Sequence, residues 1–307
     1  MFKKLLGFVF PLLLTLGYPS ILPAQDPALP ASFATKTEVQ HFVKEMHQKH
    51  GFDQKYLTEL FQSFETDNKV LQLISKQYEA LPWYQYQNHV VTQKRVKEGV
   101  QFLKENRQTL KRAEKEFGVP AEIIVAIIGI ESNYGQLKGK YPVLQSLSTL
   151  AFDYPRRANF FKGELEQFLL LTREEKFNPK ELLGSFAGAM GMPQFMPSSY
   201  RHFAVDFSGK GQRDLLQNTA DVIGSVANYF KKHGWKTGES VIHKAKANSK
   251  AFKNTAAKTK LLRLEKSKGR YEHWLARYNF YVITRYNHSD HYAMAVYVLS
   301  ERIRASL

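Results

Sequence analysis

Glu131 is the residue whose type and position are best suited to acid–base chemistry. It follows an apolar run over residues 123–130. If this run is a helix, Ile124, Ile127, Ile128 and Glu131 share one face, so an ionisable group stands where an apolar one is expected. Loss of water raises the pKa of a carboxyl group, which predicts a general acid near neutral pH. A carboxylate at the exposed end of a buried helix is the structural alternative.

The segments that follow Glu131 are rich in small and polar residues. Residues 184–191 read Gly-Ser-Phe-Ala-Gly-Ala-Met-Gly, and residues 194–200 read Gln-Phe-Met-Pro-Ser-Ser-Tyr. Small side chains let another backbone or a polymer approach closely. Ser185 and Gln194 add polar groups that can direct hydrogen bonds into a cleft.

In their order along the chain, these segments resemble the family of membrane-bound lytic murein transglycosylase B. The resemblance also includes Glu-Ser-x-x-Gly at 131–135, Tyr-Pro-Arg-Arg at 154–157 and Arg-Tyr-Asn-His-Ser at 285–289. It extends from about residue 83 to residue 235 and resumes near residue 261. Motifs of this length in this order are specific, and they favour the catalytic interpretation of Glu131.

The resemblance implies an enzyme that needs one carboxyl group. Glycosidases ordinarily use two carboxylates, and Glu131 is the one strong candidate here; Asp153, Glu164 and Glu166 are interpreted as structural. In the implied reaction, Glu131 protonates the oxygen between N-acetylmuramic acid and N-acetylglucosamine. It then removes a proton from the muramyl C6 hydroxyl, which closes onto C1 to give a 1,6-anhydromuramyl end.

The resemblance also implies a set of substrate-binding residues. Ser185 and Gln194 would contact acetamido or hydroxyl groups of the sugars, and Arg156 and Arg157 would face glycan or peptide. Five further residues would line the cleft: Tyr86, Tyr229, Tyr286, Asn287 and Tyr292. For each tyrosine, core packing with a satisfied hydroxyl is the structural alternative.

Residues 206–217 occupy the stretch in which the family carries an EF-hand-like cation loop. Gly211 falls at the sixth position, as such a loop requires. Lys210, however, takes the fifth position, where an oxygen ligand is usual, and Gln217 replaces the bidentate glutamate of the twelfth. We therefore expect no metal and no cofactor, with the Lys210 ammonium pairing with Asp206 or Asp214.

The elements that must position these residues are mostly helical. Apolar spacing, caps and glycines predict helices that begin at a capping box over 35–38 and continue over about 89–117, 121–131, 159–175, 219–233 and 291–304. Short apolar runs at 261–264 and 278–283 predict strands. The fold class is therefore mainly α (α+β): a lysozyme-like helical catalytic domain with a small β-containing C-terminal portion.

The N-terminus predicts export. Lys3 and Lys4 precede an apolar stretch over 5–16, and Leu-Pro-Ala at 22–24 is a candidate cleavage site. The expected organisation is a signal peptide or uncleaved anchor over 1–24, a catalytic region over 25–235, a basic loop and small β region over 236–285, and a helix over 286–307 that packs back on the catalytic region. The expected location is the periplasm. Since the chain has no cysteine, a lipoprotein and disulfides are excluded.

The net charge of +16 predicts an anionic polymer as partner. Ten cations lie within 244–270 beside one acid, Glu265; they are Lys244, Lys246, Lys250, Lys253, Lys258, Lys260, Arg263, Lys266, Lys268 and Arg270. This basic stretch is either a binding surface or a solvated loop. With export predicted, peptidoglycan strands are the expected partner rather than nucleic acid, and other cell-wall enzymes are further candidate partners.

Three other functions compete with the transglycosylase. A lysozyme-like muramidase would use water and release reducing muramic acid ends. A glycan-binding protein without activity is disfavoured by Glu131 and its flanking motif. Nucleic-acid binding rests on charge alone, which any basic protein shares.

Overall fold

Helices make up most of the residues that the computed structural model describes, which are 32–76, 81–246 and 259–307. The α-helices in these ranges are α1 (Thr37–His50), α2 (Gln54–Gln62), α3 (Asn68–Ser75), α4 (Trp83–Val90), α5 (Gln93–Glu105), α6 (Arg107–Phe117), α7 (Ala121–Ser132), α8 (Val143–Asp153), α9 (Ala158–Glu174), α10 (Pro197–Phe203), α11 (Thr219–Lys232), α12 (Tyr278–Thr284) and α13 (Asp290–Arg304).

Strands are few and lie mainly near the C-terminus. They are β1 (Tyr141–Pro142), β2 (Leu183–Gly184), β3 (Ile242–Ala245), β4 (Lys260–Ser267) and β5 (Arg270–Ala276). β1 and β2 form a short antiparallel pair. The larger sheet is antiparallel in the order β3-β5-β4, with Ile242 opposite Ala276 and Leu262 opposite Trp274. A mainly helical chain with a small C-terminal β portion is thus confirmed.

Helix α7, which carries Glu131 in its last turn, is the most buried helix around the candidate site. Residues 123–129 are all buried, as expected of a helix that is apolar on every side. It packs against α5, α6, α11 and, most extensively, α13. Because the surrounding helices exclude water, an ionisable group in the last turn of α7 enters a largely apolar environment.

One predicted helix start is wrong, and one predicted helix is divided in two. The capping box does not form: α1 begins at Thr37, and the Thr35 hydroxyl donates to the carbonyl of Ser32 within a preceding 3-10 turn. The single helix predicted over 89–117 is divided into α5 and α6 at Asn106, whose side-chain amide donates to the carbonyl of Phe102. Asparagine side chains compete with the helix for backbone partners, which favours a break at this position.

The strand predicted at 278–283 is a helix. The sequence Tyr-Asn-Phe-Tyr-Val-Ile forms α12, which buries Asn279, Phe280, Val282 and Ile283 and packs against α13. Periodicity alone does not separate a short apolar run in a strand from one in a helix. The strand predicted at 261–264 is confirmed as part of β4.

Some predicted segments lie outside the described residues. They are the signal peptide or anchor over 1–24 and the part of the basic stretch over 247–258. Across the three described ranges, no helix combines the length and the apolar character needed to span a bilayer.

Candidate active site

Glu131 lies in the last turn of α7 and receives one hydrogen bond. The hydroxyl of Tyr292, on α13, donates to Oε1 of Glu131 over 2.5 Å. Glu131 is partly buried. Burial raises the pKa of Glu131 to about 7, and the Tyr292 hydrogen bond opposes the rise. At neutral pH this group is therefore poised to give or to take a proton.

The end of α7 is fixed by the residues that follow Glu131. Asn133 and Tyr134 both have left-handed backbones, with φ of 49° and 57°. The hydroxyl of Ser132 donates to the Ile128 carbonyl and accepts from the Gly135 N–H. This Glu-Ser-x-x-Gly segment stops the helix one residue after Glu131 and holds that side chain at the helix end.

Gly129 makes this turn possible. A Cβ at Gly129 would collide with the ring of Tyr134, which folds back over the helix. The Tyr134 hydroxyl then donates to the Arg95 carbonyl on α5 over 2.8 Å. The glycine within the apolar run is explained by this close approach.

All four predicted cleft tyrosines lie near enough to Glu131 to interact with its charge. Burial raises the pKa of Tyr86, Tyr229, Tyr286 and Tyr292, and the negative charge of Glu131 adds to the rise in each case. For Tyr229 the result is a pKa of about 12. All four hydroxyl groups therefore remain neutral donors at any physiological pH.

The hydroxyls of Tyr229 and Tyr286 have backbone partners. Tyr229 donates to the Arg285 carbonyl over 2.6 Å, and Tyr286 donates to the Pro193 carbonyl over 2.6 Å. Their rings are 4.8 Å apart, and both pack against Phe195. These two tyrosines form a supporting wall, whereas Tyr292 contacts the carboxyl group directly.

Ser185 and Gln194 lie in the turn that carries the small-residue motif. The Ser185 hydroxyl accepts from the Ala189 N–H over 3.0 Å. Gln194 has a left-handed backbone with φ of 50°, and its side-chain amide donates to the carbonyls of Lys138 and Gly191. The ring of Phe195, the next residue, packs against Tyr229 and Tyr286 and so connects this turn to the tyrosine wall.

The remaining predicted contacts are less closely associated with Glu131. Arg156 and Arg157 are exposed on a 3-10 turn before α9, where the Arg157 guanidinium lies 4.1 Å from the centre of the Phe160 ring. Asn287 is exposed, and its carbonyl accepts from the Ser289 N–H. In the described ranges, none of the three is joined to Glu131 by a hydrogen bond or ion pair.

Two aromatic residues that the sequence reasoning missed form a separate cluster with one of the predicted cleft residues. Trp83 and His291 pack with Tyr86, with each of the three ring pairs separated by 5.7 to 6.3 Å. Trp83 and Tyr86 are three residues apart on α4, a spacing that could have indicated a shared face. His291 precedes Tyr292, but nothing in the sequence places it beside α4.

The other acids considered have structural partners. Asp153 pairs with Lys36 over 2.6 Å, and Glu166 pairs with His50 over 2.8 Å. The buried Glu164 accepts from the N–H and the hydroxyl of Ser198 at the start of α10. These contacts agree with the structural interpretation of all three.

The loop over 206–217 holds its carboxylates in backbone hydrogen bonds. Asp206 accepts from the N–H groups of Lys210 and Gly211, which lowers its pKa. Asp214 accepts from the N–H groups of Leu216 and Gln217. The predicted pairing of the Lys210 ammonium with either aspartate is not formed. A lysine at the fifth ligand position does not fit a calcium ion, and the glutamine at the twelfth lacks the bidentate carboxylate of an EF-hand. The described residues contain no group of three histidine, cysteine, aspartate or glutamate side chains that could hold a metal ion.

Comparison with known proteins gives a consistent result. The model of the family described as Transglycosylase SLT domain matches residues 34–301. The membrane-bound lytic murein transglycosylase B of Escherichia coli (strain K12) is 42% identical over 305 residues, covering 88% of this chain and 84% of that protein.

Two solved structures are also similar to the whole described fold. Catenated lytic transglycosylase SltB1 from Pseudomonas aeruginosa has a TM-score of 0.85 at 42% identity, covering 89% of this chain and 99% of that one. Lytic transglycosylase Slt35 from Escherichia coli, in complex with calcium, has a TM-score of 0.83 at 43% identity, covering 91% and 96%. The predicted lysozyme-like fold class is confirmed by this similarity.

Proposed function

This chain belongs to the transglycosylase SLT domain family, and we propose that it is a lytic murein transglycosylase whose single acid and base is Glu131. The observation that carries this assignment of Glu131 is its pKa of about 7, which burial raises and one hydrogen bond from Tyr292 moderates. Among the described residues, no second carboxylate contributes to the shift. One carboxyl group with a pKa near neutrality can serve both steps of the reaction.

The first step is bond cleavage. Neutral Glu131 donates its proton to the oxygen that joins C1 of N-acetylmuramic acid to N-acetylglucosamine. The C1–O bond breaks, the N-acetylglucosamine end leaves as an alcohol, and positive charge develops at C1. Glu131 is now a carboxylate, which the Tyr292 hydroxyl stabilises by a hydrogen bond to a charged group.

The second step is ring closure. The muramyl C6 hydroxyl attacks C1, and its proton passes to the Glu131 carboxylate. The C6–O–C1 bridge completes the 1,6-anhydromuramyl end, and the enzyme returns to its starting form without consuming water. Because the substrate supplies the nucleophile, no second protein carboxylate is needed, in contrast with ordinary glycosidases.

The substrate-binding roles are proposed from proximity to Glu131. Tyr86, Tyr229, Tyr286 and Tyr292 supply aromatic surface and hydroxyl groups around the acid, and Ser185 and Gln194 lie in a turn packed against that wall through Phe195. Arg156, Arg157 and Asn287 are exposed and polar, which suits contacts with glycan or peptide farther from the cleaved bond.

The expected location and organisation also belong to this proposal. Peptidoglycan lies outside the cytoplasmic membrane, so we propose a periplasmic enzyme that is exported by residues 1–24. The catalytic region would cover 25–235, the basic β region 236–285 and the closing helix 286–307. Other cell-wall enzymes are proposed as partners. We propose no metal, because in residues 206–217 a lysine, Lys210, takes the fifth ligand position and Gln217 replaces the bidentate glutamate of the twelfth.

The test is product analysis on the wild type and on Glu131→Gln. Digests of sacculi by the wild type should yield muropeptides lighter by one water than those of a muramidase. Glu131→Gln keeps the side-chain shape but has no proton to donate, so turnover should fall at least 10²- to 10⁴-fold. Hydrated reducing ends from the wild type, or near-normal turnover by a folded Glu131→Gln, would contradict the proposal.

A further inference from the structure

The three-stranded sheet has one face packed on helices and one outer face. On the packed face, Leu262 and Leu264 are buried, Trp274 lies edge-on to Tyr297 of α13, and β4 contacts α4. Side chains alternate between the faces of a sheet, so the strand register defines the outer face. Its members are His243, Ala245, Leu261, Arg263, Glu265, Tyr271, His273 and Leu275.

The outer face carries apolar residues where polar ones are usual. Tyr271 is 45% exposed, and Ala245, Leu261 and Leu275 are half-buried. An antiparallel sheet with one solvated face normally directs apolar residues inward and polar residues outward. Because the packed face already supplies the core contacts, these outward residues indicate contact with something outside the fold.

Tyr271 is held in place by Arg263. The Arg263 guanidinium lies 3.6 Å from the centre of the Tyr271 ring. The two are diagonal neighbours on the sheet, since Arg263 is opposite His273 and Tyr271 is opposite Glu265. The Glu265 carboxylate accepts from the Gly269 N–H instead, and within the described ranges no carboxylate forms an ion pair with Arg263. An exposed ring therefore lies beside a guanidinium with unused donors.

The charge around this pair identifies the kind of partner. Lys266, Lys268 and Arg270 are exposed at the turn between β4 and β5, so the partner should be anionic. Among the apolar residues of the outer face only Tyr271 is exposed, so no aliphatic side chain projects to enter a lipid bilayer. A sugar ring offers an apolar C–H face to an aromatic ring, and peptidoglycan peptides carry carboxylates.

We propose that the outer face of this sheet is a second glycan-binding surface, on which Tyr271 stacks against a sugar ring of a peptidoglycan strand and Arg263 binds a carboxylate of its peptide. The identity of the polymer rests on the proposed function. The sheet is fixed to α4 and α13, which carry Tyr86 and Tyr292. A strand on the outer face is therefore held at a constant distance from Glu131.

The test is co-sedimentation with sacculi, with all variants made in Glu131→Gln so that the strands are not cleaved. Tyr271→Ala should weaken binding about 3- to 10-fold, in high salt as well as low, because stacking is not screened. Tyr271→Phe keeps the ring and should bind normally. Arg263→Gln should weaken binding mainly in low salt. Tyr56→Ala is the matched control, since Tyr56 is also 45% exposed but lies on α2.

Each outcome decides the question. Loss of binding in Tyr271→Ala, with normal binding by Tyr271→Phe and Tyr56→Ala, supports the surface. Normal binding by Tyr271→Ala, or equal loss in Tyr56→Ala, overturns it. Binding to phosphatidylglycerol vesicles but not to sacculi, or self-association, that is lost in Tyr271→Ala would overturn it in favour of a lipid or a second copy of the chain.

The proposed function is decided separately by the products of the wild type. If those products have hydrated reducing ends while sacculus binding still depends on the Tyr271 ring, the proposed reaction fails and the glycan-binding surface stands. If the products are anhydromuramyl and Tyr271→Ala binds normally, the reaction stands and the surface fails.

Discussion

The hydroxyl of Tyr292 donates a hydrogen bond to the carboxyl group of Glu131 across a separation of 161 residues. Burial alone would favour the protonated acid and make the carboxylate costly. The hydrogen bond stabilises the carboxylate, so the pKa of Glu131 settles at about 7 rather than higher. The contact between α7 and α13 therefore sets the balance between the proposed acid and base roles of Glu131.

The first consequence concerns the pH profile. Cleavage requires protonated Glu131, so kcat/KM of the wild type should fall as pH rises through about 7. Tyr292→Phe removes the stabilising donor and should move this alkaline limb upward by about one to two pH units, the equivalent of a hydrogen bond to a charged group. The measurement is kcat/KM for a soluble glycan between pH 5 and 9.

Tyr229→Phe is the control for the Tyr292 variant. Its hydroxyl donates to the Arg285 carbonyl rather than to Glu131, so its loss should leave the position of the limb unchanged. If both variants shift the limb equally, the effect is one of general packing and not of the Tyr292 hydrogen bond.

The free energy of unfolding should also depend on pH through the protonation of Glu131. The folded-state pKa of about 7 exceeds the ordinary value of 4.5, so the folded protein binds this proton more tightly than the unfolded chain does. The resulting stabilisation is fully present below about pH 4.5 and is lost as pH rises through 7. It amounts to about 3 kcal/mol.

This pH dependence is measured against Glu131→Gln, which does not titrate at this position. The free energy of unfolding of the wild type, minus that of Glu131→Gln, should decrease between pH 4.5 and 8. Urea unfolding at a series of pH values gives both quantities. A difference that stays constant, or that increases with pH, would show that Glu131 is ionised in the folded protein at acidic pH.

Calcium should not stabilise this protein. Lys210 and Gln217 stand where an EF-hand-like loop supplies oxygen ligands, and Asp206 and Asp214 are engaged by backbone N–H groups. The melting temperature should therefore be the same with calcium and with chelator. Lys210→Asp combined with Gln217→Glu is the comparison variant, in which a calcium-dependent rise should appear. A rise in the wild type that grows with calcium concentration would contradict the expectation.

The basic stretch over 244–270 should recruit the enzyme to the peptidoglycan of the cell wall without taking part in catalysis. Lys266, Lys268 and Arg270 are exposed where β4 turns into β5. Reversing these three charges to Glu should weaken binding to sacculi in low salt and much less in high salt, because exposed charges are screened over about 8 Å at physiological ionic strength. Sacculus co-sedimentation at two salt concentrations measures the effect.

The matched variant reverses three exposed lysines on α5 and α6, Lys104, Lys111 and Lys115. It carries the same change in net charge and should bind sacculi better than the β4–β5 variant. Turnover of a short soluble glycan should be unchanged in both. If both variants lose sacculus binding equally, recruitment depends on net charge alone. If a folded β4–β5 variant loses turnover of the soluble glycan, the basic stretch belongs to the active site.

Glu131 and its motif were identifiable from the sequence because their signals are local. An acid at the end of an apolar helix predicts desolvation, and Glu-Ser-x-x-Gly encodes the turn that ends α7. The boundaries of α9, α11 and α13 also agree with prediction within about two residues, since apolar periodicity and end signals lie within each segment.

Only the tertiary structure decided the rest. The family resemblance implied that Tyr292 lines the cleft, but its hydrogen bond to Glu131 depends on the packing of α13 against α7. The helical state of 278–283 likewise comes from burial against α13, because a six-residue apolar run carries no periodicity that separates helix from strand. The packing of His291 against Trp83 and Tyr86 also joins α13 to α4, which are distant along the chain. Hydrogen-bond partners and cavities arise from contacts between elements, whereas sequence patterns report mainly on the segment that contains them.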